Sequence, residues 1–110
     1  MSDPEGEWHV ALAESEVSDG EPAACEIHGI ALAICRVDGA YYATSNICTH
    51  EAAFLSDGLL EGCVLECPLH GAQFDLRTGE ALSSPAEIDL ETFPVRVAAG
   101  KVEVFVPSEK

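Results

Sequence analysis

Two short segments of the sequence combine cysteine with histidine at spacings typical of metal ligands. The first reads C-T-H at positions 48–50, and the second reads C-P-L-H at positions 67–70. A thiolate and an imidazole two or three residues apart can point inward from one tight loop, so two facing loops supply four ligands. Two sulfur and two nitrogen donors suit either a zinc ion or an iron–sulfur centre. The predicted ligands of one metal centre are Cys48, His50, Cys67 and His70.

The distribution of these ligands between the two segments bears on the kind of centre. A structural zinc site with two cysteines and two histidines usually draws its cysteines from one loop and its histidines from another. Here each segment has one of each. An asymmetric [2Fe–2S] cluster needs this arrangement if one iron takes both thiolates and the other takes both imidazoles. A zinc-stabilised structural or binding module is the alternative.

Short strands separated by turn residues make up the elements that must position these ligands. Brief apolar runs alternate with turn dipeptides such as Asp38-Gly39 and Ala99-Gly100. The predicted strands cover residues 8–13, 23–27, 30–37, 41–45, 63–66, 94–98 and 101–106. Residues 87–92 are the best helical candidate. The sequence therefore predicts an all-β sandwich or barrel, in which segments 46–57 and 68–85 form two long functional loops.

Length and charge limit the classes of protein to which the chain can belong. Its 110 residues suffice for a single domain, 1–110, with little left for a second. Twenty acidic and five basic side chains give a net charge of -15, which disfavours binding to nucleic acid and to anionic membranes. An acidic surface of this kind favours a basic patch on a partner protein instead.

Neither a membrane span nor an export signal is expected. The apolar run at 27–35 is interrupted by His28 and Gly29, and it is far shorter than a membrane helix. The amino terminus has no basic stretch leading into an apolar one, so we expect a cytoplasmic protein. In that reducing compartment the five cysteines point to metal binding rather than to disulfides.

The two ligand segments and their surroundings resemble the Rieske [2Fe–2S] family. The resemblance rests on C-T-H, on C-P-L-H-G-A-Q-F-D from position 67, on S-D-G at 56–58 and on T-G at 78–79. It extends over about residues 8–106 and is closest to the small Rieske ferredoxins of multicomponent ring-hydroxylating dioxygenases. It implies the Rieske fold, in which two antiparallel sheets form a sandwich and two loops build a cluster-binding subdomain, here at about residues 46–85.

The resemblance also implies roles for individual residues around one [2Fe–2S] cluster. Cys48 and Cys67 would bind the buried iron, and His50 and His70 would bind the iron nearer the surface. Gly71 would let backbone amides approach the cluster sulfides. The side chains expected to screen the cluster from water are Leu55, Leu69 and Phe74.

Departures from the high-potential Rieske proteins of respiratory complexes imply a low reduction potential. Those proteins carry disulfide-forming cysteines where this chain has Ala53 and Leu69. Those proteins also carry a serine and a tyrosine at the positions of Ala72 and Phe74 in this chain. The hydroxyls of that serine and tyrosine bond the cluster and a ligand sulfur. With fewer hydrogen-bond donors around the sulfurs, the more negative reduced cluster is less stabilised, and Glu51 adds a further negative charge. We therefore expect a potential near the low limit of the Rieske range, about -150 mV.

The function that the resemblance implies is electron transfer without catalysis. Once His50 and His70 are cluster ligands, too few histidines remain for the separate iron site of a Rieske oxygenase, and the chain has no Gly-rich dinucleotide motif. A flavoprotein reductase that oxidises NAD(P)H would supply the electron, and a terminal oxygenase would receive it. A monomer is expected, as is a docking rim formed by Glu51, Phe54, Leu69 and Pro85. The alternative is another Rieske carrier, such as a small subunit of nitrite reductase.

The remaining cysteines and histidines are expected to be structural. Cys63 alternates on one strand face with the second ligand cysteine and suits a small buried side chain. Cys25 and Cys35 lie on neighbouring predicted strands and suit core positions. His9 and His28 have no cysteine or carboxylate motif nearby, so no metal role is expected for them.

Overall fold

Strands account for almost all of the regular structure in the computed structural model, which describes residues 6–47, 54–68, 71–83 and 89–107. These residues contain eleven strands and two 3-10 helices, Glu14–Glu16 and Leu55–Asp57, but no α-helix. The strands are β1 (Gly6–Ala13), β2 (Ala23–Ile27), β3 (Ile30–Val37), β4 (Ala40–Ser45), β5 (Leu59–Glu61), β6 (Val64–Glu66), β7 (Gln73–Asp75), β8 (Ala81–Ser83), β9 (Thr92–Phe93), β10 (Val95–Ala98) and β11 (Lys101–Pro107). The all-β prediction is confirmed.

The strands form three antiparallel sheets with the orders β1-β11-β10, β2-β3-β4-β9 and β5-β6-β7-β8. The predicted strands 23–27 and 30–37 coincide with β2 and β3. The predicted hairpin at 94–106 corresponds to β10 and β11, which pair from Val95 with Val104 to Ala98 with Lys101. The first two sheets share one apolar core and so form the expected sandwich.

Alternating apolar residues bury the facing sides of the first two sheets. On β11, Val102, Val104 and Val106 are at most 1% exposed, whereas the residues between them are only half-buried. The three valines pack in one cluster with Leu32 and Ile34 of β3. The two-residue period of a strand places each set on one face, which is why the alternation in the sequence predicts the core.

A second core is built around the third sheet. Its members are Cys35, Leu55, Leu65, Cys67, Ala72, Phe74, Leu76 and Leu90. Ile34 and Cys35 are both fully buried on β3, the first in the sandwich core and the second in this one. Because β3 contributes to both cores, the sandwich directly supports the part of the chain that carries the second predicted ligand pair.

The third sheet differs from the sequence prediction, which places loops over most of 46–57 and 68–85. Both β7 and β8 lie within the second of these segments, and β5 begins just after the first. Each strand of this sheet spans three residues. Three residues are too few for an alternating pattern to stand out against turn-forming neighbours.

The helix predicted at 87–92 is wrong for the part that the structure describes. Residues 89–91 have no regular structure, and Thr92–Phe93 forms β9. This strand pairs Phe93 with Ala43 and Thr92 with Thr44, and Phe93 is buried in the sandwich core. Positions 87 and 88 lie outside the described residues. None of the helices in the described residues has the length and apolarity to cross a membrane.

Candidate metal centre

The residues that flank the first ligand segment, 48–53, pair with each other, and we call such a pairing the closed base of a segment. Ile47 and Phe54, which flank it, form an antiparallel bridge. Just outside that bridge, the backbone N–H of Leu55 donates a hydrogen bond of 2.8 Å to the carbonyl of Asn46. Cys48, His50 and Glu51 lie outside the described residues, so the structure fixes where their segment starts and ends.

Asn46 makes three further hydrogen bonds that stabilise this closed base. Its side-chain Oδ1 accepts a hydrogen bond of 2.7 Å from the backbone N–H of Ser56, and its Nδ2 donates to Ser56 Oγ at 3.0 Å. Its own backbone N–H donates to the carbonyl of Ala31 on β3 at 2.9 Å. Asn46 is 2% exposed and Ser56 is half-buried, so these bonds are partly shielded from water. We call this arrangement the Asn46–Ser56 clamp; sequence reasoning missed it, because its only signal is a polar residue at the end of a strand.

The second ligand segment also has a closed base, formed by the β6–β7 hairpin. Glu66 pairs with Gln73, and the backbone N–H of Cys67 donates to the carbonyl of Ala72 at 2.7 Å. Gly71 has a φ of +70°, a conformation that favours glycine and lets the chain turn back towards β7. Leu69 and His70, between these points, lie outside the described residues.

Cys67 is the one predicted ligand that the structure describes, and it is almost fully buried. It is 1% exposed and belongs to the second core with Leu55, Ala72 and Phe74. Leu55 and Phe74, both predicted to screen a cluster, are fully buried in that core. An apolar, water-excluding environment fits a thiolate-bound iron, since burial and hydrogen bonding around the sulfurs control cluster properties.

Gly58 brings the chain after the first ligand segment against the second segment. It follows the 3-10 helix Leu55–Asp57 with a φ of -95°, and a Cβ at this position would collide with the carbonyl oxygen of Glu66. The same Cβ would lie 3.2 Å from Cδ of Pro68. Glu66 and Pro68 flank Cys67 in the sequence. The close packing that glycine permits here therefore sets the spacing of the two segments.

Alanine at position 58 is expected to lower the thermal unfolding midpoint by roughly 5–15 °C, because forcing a methyl group into packed backbone costs about 1–3 kcal/mol. Gly62→Ala is the matched control. No atom lies within 4 Å of its added Cβ, and only its positive φ of 57° is unfavourable. Circular dichroism of both variants tests this, and equal losses would contradict the role given to Gly58.

The three other cysteines that the structure describes lie in or against the two apolar cores. Cys35 is fully buried, and burial raises the pKa of its thiol to about 12. Cys25 is half-buried on the neighbouring strand; burial raises the pKa of this thiol too, and it donates to the carbonyl of Ala11 at 3.4 Å. Cys63 packs against the second core. Cys25, Cys35 and Cys63 are unbridged, and raised pKa values keep the first two protonated at neutral pH.

His9 and His28 meet on the surface, although the sequence does not predict their contact. Their ring centroids are 4.6 Å apart with the rings edge-to-face, and His9 Nε2 is 3.7 Å from a carboxylate oxygen of Glu7. Within the described residues no three His, Cys, Asp or Glu side chains are grouped so that they could hold a metal ion.

Phe54 is the one member of the expected docking rim that the structure describes, and its side chain is exposed beside the first ligand segment. Phe54 is 49% exposed and Ile47 is 42% exposed. Glu51, Leu69 and Pro85, the other members of that rim, lie outside the described residues, as does Ala53.

Comparisons with known proteins find the same family that the sequence resembles. The model of the Rieske [2Fe-2S] domain family matches residues 7–94. The ferredoxin component of a naphthalene 1,2-dioxygenase system from Pseudomonas aeruginosa is 42% identical over 97 residues, which cover 88% of this chain and 93% of the relative.

Two solved structures share the fold over most of their length. The ferredoxin of Sphingomonas yanoikuyae B1 has a TM-score of 0.87 and 39% identity, with coverage of 92% of this chain and 100% of that one. A ferredoxin in a complex of reduced oxygenase and oxidised ferredoxin, from carbazole 1,9a-dioxygenase, has a TM-score of 0.83 and 41% identity. The coverage is 88% of this chain and 91% of that one.

Proposed function

The chain belongs to the family of Rieske [2Fe-2S] domains, and from this premise we propose that it is the ferredoxin component of an aromatic-ring-hydroxylating dioxygenase system. It is an electron carrier rather than a catalyst. One Rieske-type [2Fe–2S] cluster supplies the one-electron chemistry when bound. Of the structural observations, the burial of Cys67 at the closed base of the second ligand segment carries most of this proposal.

The cluster ligands in this proposal are Cys48 and Cys67 on one iron and His50 and His70 on the other. Three features of the chain support the assignment. Cys67 lies in an apolar core, both ligand segments start and end at closed bases, and Gly58 packs the first against the second. The domain in this proposal spans 1–110, and its cluster-binding part lies at about 46–85.

Electrons pass in one direction in this proposal. A flavoprotein that oxidises NAD(P)H gives one electron to the ferredoxin, and the ferredoxin gives it to a terminal oxygenase. The carbazole relative, in complex with its oxygenase, supports the second step. Complexes between redox partners are small and transient, and the net charge of -15 favours steering towards a basic partner surface. The ferredoxin acts as a monomer.

Electron delivery is the experiment that tests the function. The purified protein is reduced with dithionite, freed of excess reductant and mixed anaerobically with the oxygenase component of the naphthalene 1,2-dioxygenase system. We expect its visible spectrum to return to the oxidised form as the oxygenase is reduced. A protein that holds a Rieske cluster but delivers no electron would contradict the proposed partner.

Cys67→Ala is expected to abolish the cluster, leaving less than about a tenth of the wild-type iron and no Rieske signal in electron paramagnetic resonance, because one iron loses a thiolate ligand. Cys63→Ala is the matched control, since it removes a neighbouring thiol that packs against the same core. It is expected to keep the wild-type signal. A Cys67→Ala protein with an unchanged signal would refute the ligand assignment.

A further inference from the structure

A groove of about 400 Å³ lies beside the closed base of the first ligand segment. One wall comes from β2, with Glu26 and Cys25, and the other from Phe54 and Asp57. Asn46 of the Asn46–Ser56 clamp also lines it. The clamp therefore holds both the ligand segment and one side of this groove, and we refer to it as the Glu26–Asp57 groove.

Both charged side chains that line the groove are negative. Glu26 and Asp57 are both exposed, and neither carboxylate has an ion pair or hydrogen bond within the described part of the chain. The chain's own arginines lie elsewhere: Arg36 is near Asp19, Arg77 binds Asp75 and Arg96 binds Glu103. Two carboxylates that face one space repel each other, so a cation placed between them is stabilised.

Apolar surface borders the same groove. Phe54 forms part of its wall, and Ile47, which is bridged to Phe54, is also exposed. Exposed large apolar side chains beside unpaired charges are typical of the centre and rim of a protein interface. Ile47 directly precedes Cys48, so a protein bound here lies next to the ligand segment.

We propose that the Glu26–Asp57 groove receives a lysine or arginine side chain, flanked by apolar residues, from the surface of the terminal oxygenase. The inference rests on the proposed function and specifies the partner's chemistry. The basic side chain enters between the two carboxylates, and its apolar neighbours cover Phe54 and Ile47. Because steering by charge acts mainly on association, the two carboxylates control how fast the complex forms.

The test compares two double variants with the same change in charge. Glu26→Gln with Asp57→Asn neutralises the groove. Glu21→Gln with Asp38→Asn neutralises two exposed carboxylates outside its lining, and asparagine suits the φ of 52° at position 38. Stopped-flow absorbance follows oxidation of each reduced ferredoxin by the naphthalene dioxygenase oxygenase component. Each variant is first shown to have the wild-type Rieske signal and reduction potential, which establishes that it is folded and loaded.

At low ionic strength the groove substitutions are expected to lower the second-order rate constant for electron delivery about threefold to tenfold. The control substitutions are expected to lower it by less than about twofold. The difference is expected to disappear at high salt. Carbodiimide cross-linking of the wild-type pair, mapped by mass spectrometry, is expected to join Glu26 or Asp57 to an oxygenase lysine.

Two results would overturn the assignment of the groove while leaving the proposed function intact. One is an equal slowing by both double variants, which would mean that total charge alone sets the rate. The other is efficient electron delivery by the groove variant together with cross-links only at other carboxylates. If wild-type ferredoxin itself delivers no electron, the proposed function fails and the groove assignment fails with it.

Discussion

Asn46→Ala is expected to release the [2Fe–2S] cluster about 10- to 100-fold faster than the wild-type protein does. The substitution removes both side-chain hydrogen bonds of the Asn46–Ser56 clamp and leaves the Ser56 N–H without its acceptor. A buried donor left unsatisfied costs about 1–3 kcal/mol, and each 1.4 kcal/mol corresponds to about a tenfold change in the opening equilibrium. The base of the segment that carries Cys48 and His50 therefore opens more often, which exposes the proposed ligands to water.

Two further variants separate loop closure from general stability. Thr44→Val replaces a fully buried polar residue on β4, two positions before Asn46. Within the described residues its hydroxyl bonds only the carbonyl of neighbouring Ser45. It is expected to leave the rate of cluster loss almost unchanged. Asn46→Asp keeps an acceptor for the Ser56 N–H and is expected to restore part of the retention. The rate is measured from the decay of visible absorbance in the presence of an iron chelator; equal rates for Asn46→Ala and Thr44→Val would show that the clamp has no specific role.

The hairpins of the sandwich could be predicted because their turns carry the conformational signal locally. Asp38-Gly39 and Ala99-Gly100 both have positive φ at each residue, 52° and 83° in the first and 52° and 77° in the second. Such turns match the twist of antiparallel strands, so an X-Gly dipeptide between apolar runs predicts a hairpin well. The β3–β4 and β10–β11 hairpins formed as expected for this reason.

The parts that could not be predicted depend on residues far apart in the chain. The strand β9 forms because Phe93 has a buried place opposite Ala43, and nothing within residues 87–92 signals that partner. Likewise, Asn46 is satisfied by Ser56 only because the chain folds back after the first ligand segment. Local pattern cannot distinguish such a buried, fully bonded asparagine from an ordinary turn residue.

The candidate site was predictable to a different degree for each ligand. Spacing and neighbouring residues predict Cys67 as a ligand, and its burial in an apolar core is compatible with that prediction. Cys48, His50 and His70 lie outside the described residues, so their assignment stays a prediction. The structure describes the residues that flank both segments, and these are paired with each other.

The double substitution Ala72→Ser with Phe74→Tyr is expected to shift the reduction potential of the cluster to a more positive value. Both positions are fully buried beside Cys67, and the carbonyl of Ala72 accepts the Cys67 N–H at 2.7 Å. Hydroxyl donors there would bond sulfur and stabilise the reduced, more negative cluster. The wild-type protein has no side-chain donor at either position, so its potential is expected near the low Rieske limit, about -150 mV.

Ala43→Ser with Phe93→Tyr is the matched control, because it adds the same two hydroxyls to an alanine–phenylalanine pair in the sandwich core. It is expected to reduce stability, since it buries polar groups, but to leave the potential unchanged. Dye-mediated titration followed by electron paramagnetic resonance measures both variants. A shift of similar size in the control would mean that the potential responds to general loosening of the fold. A shift confined to Ala72 and Phe74 would instead assign the low potential to the missing donors beside Cys67, and would place the reduction potential of this carrier under the control of two buried side chains.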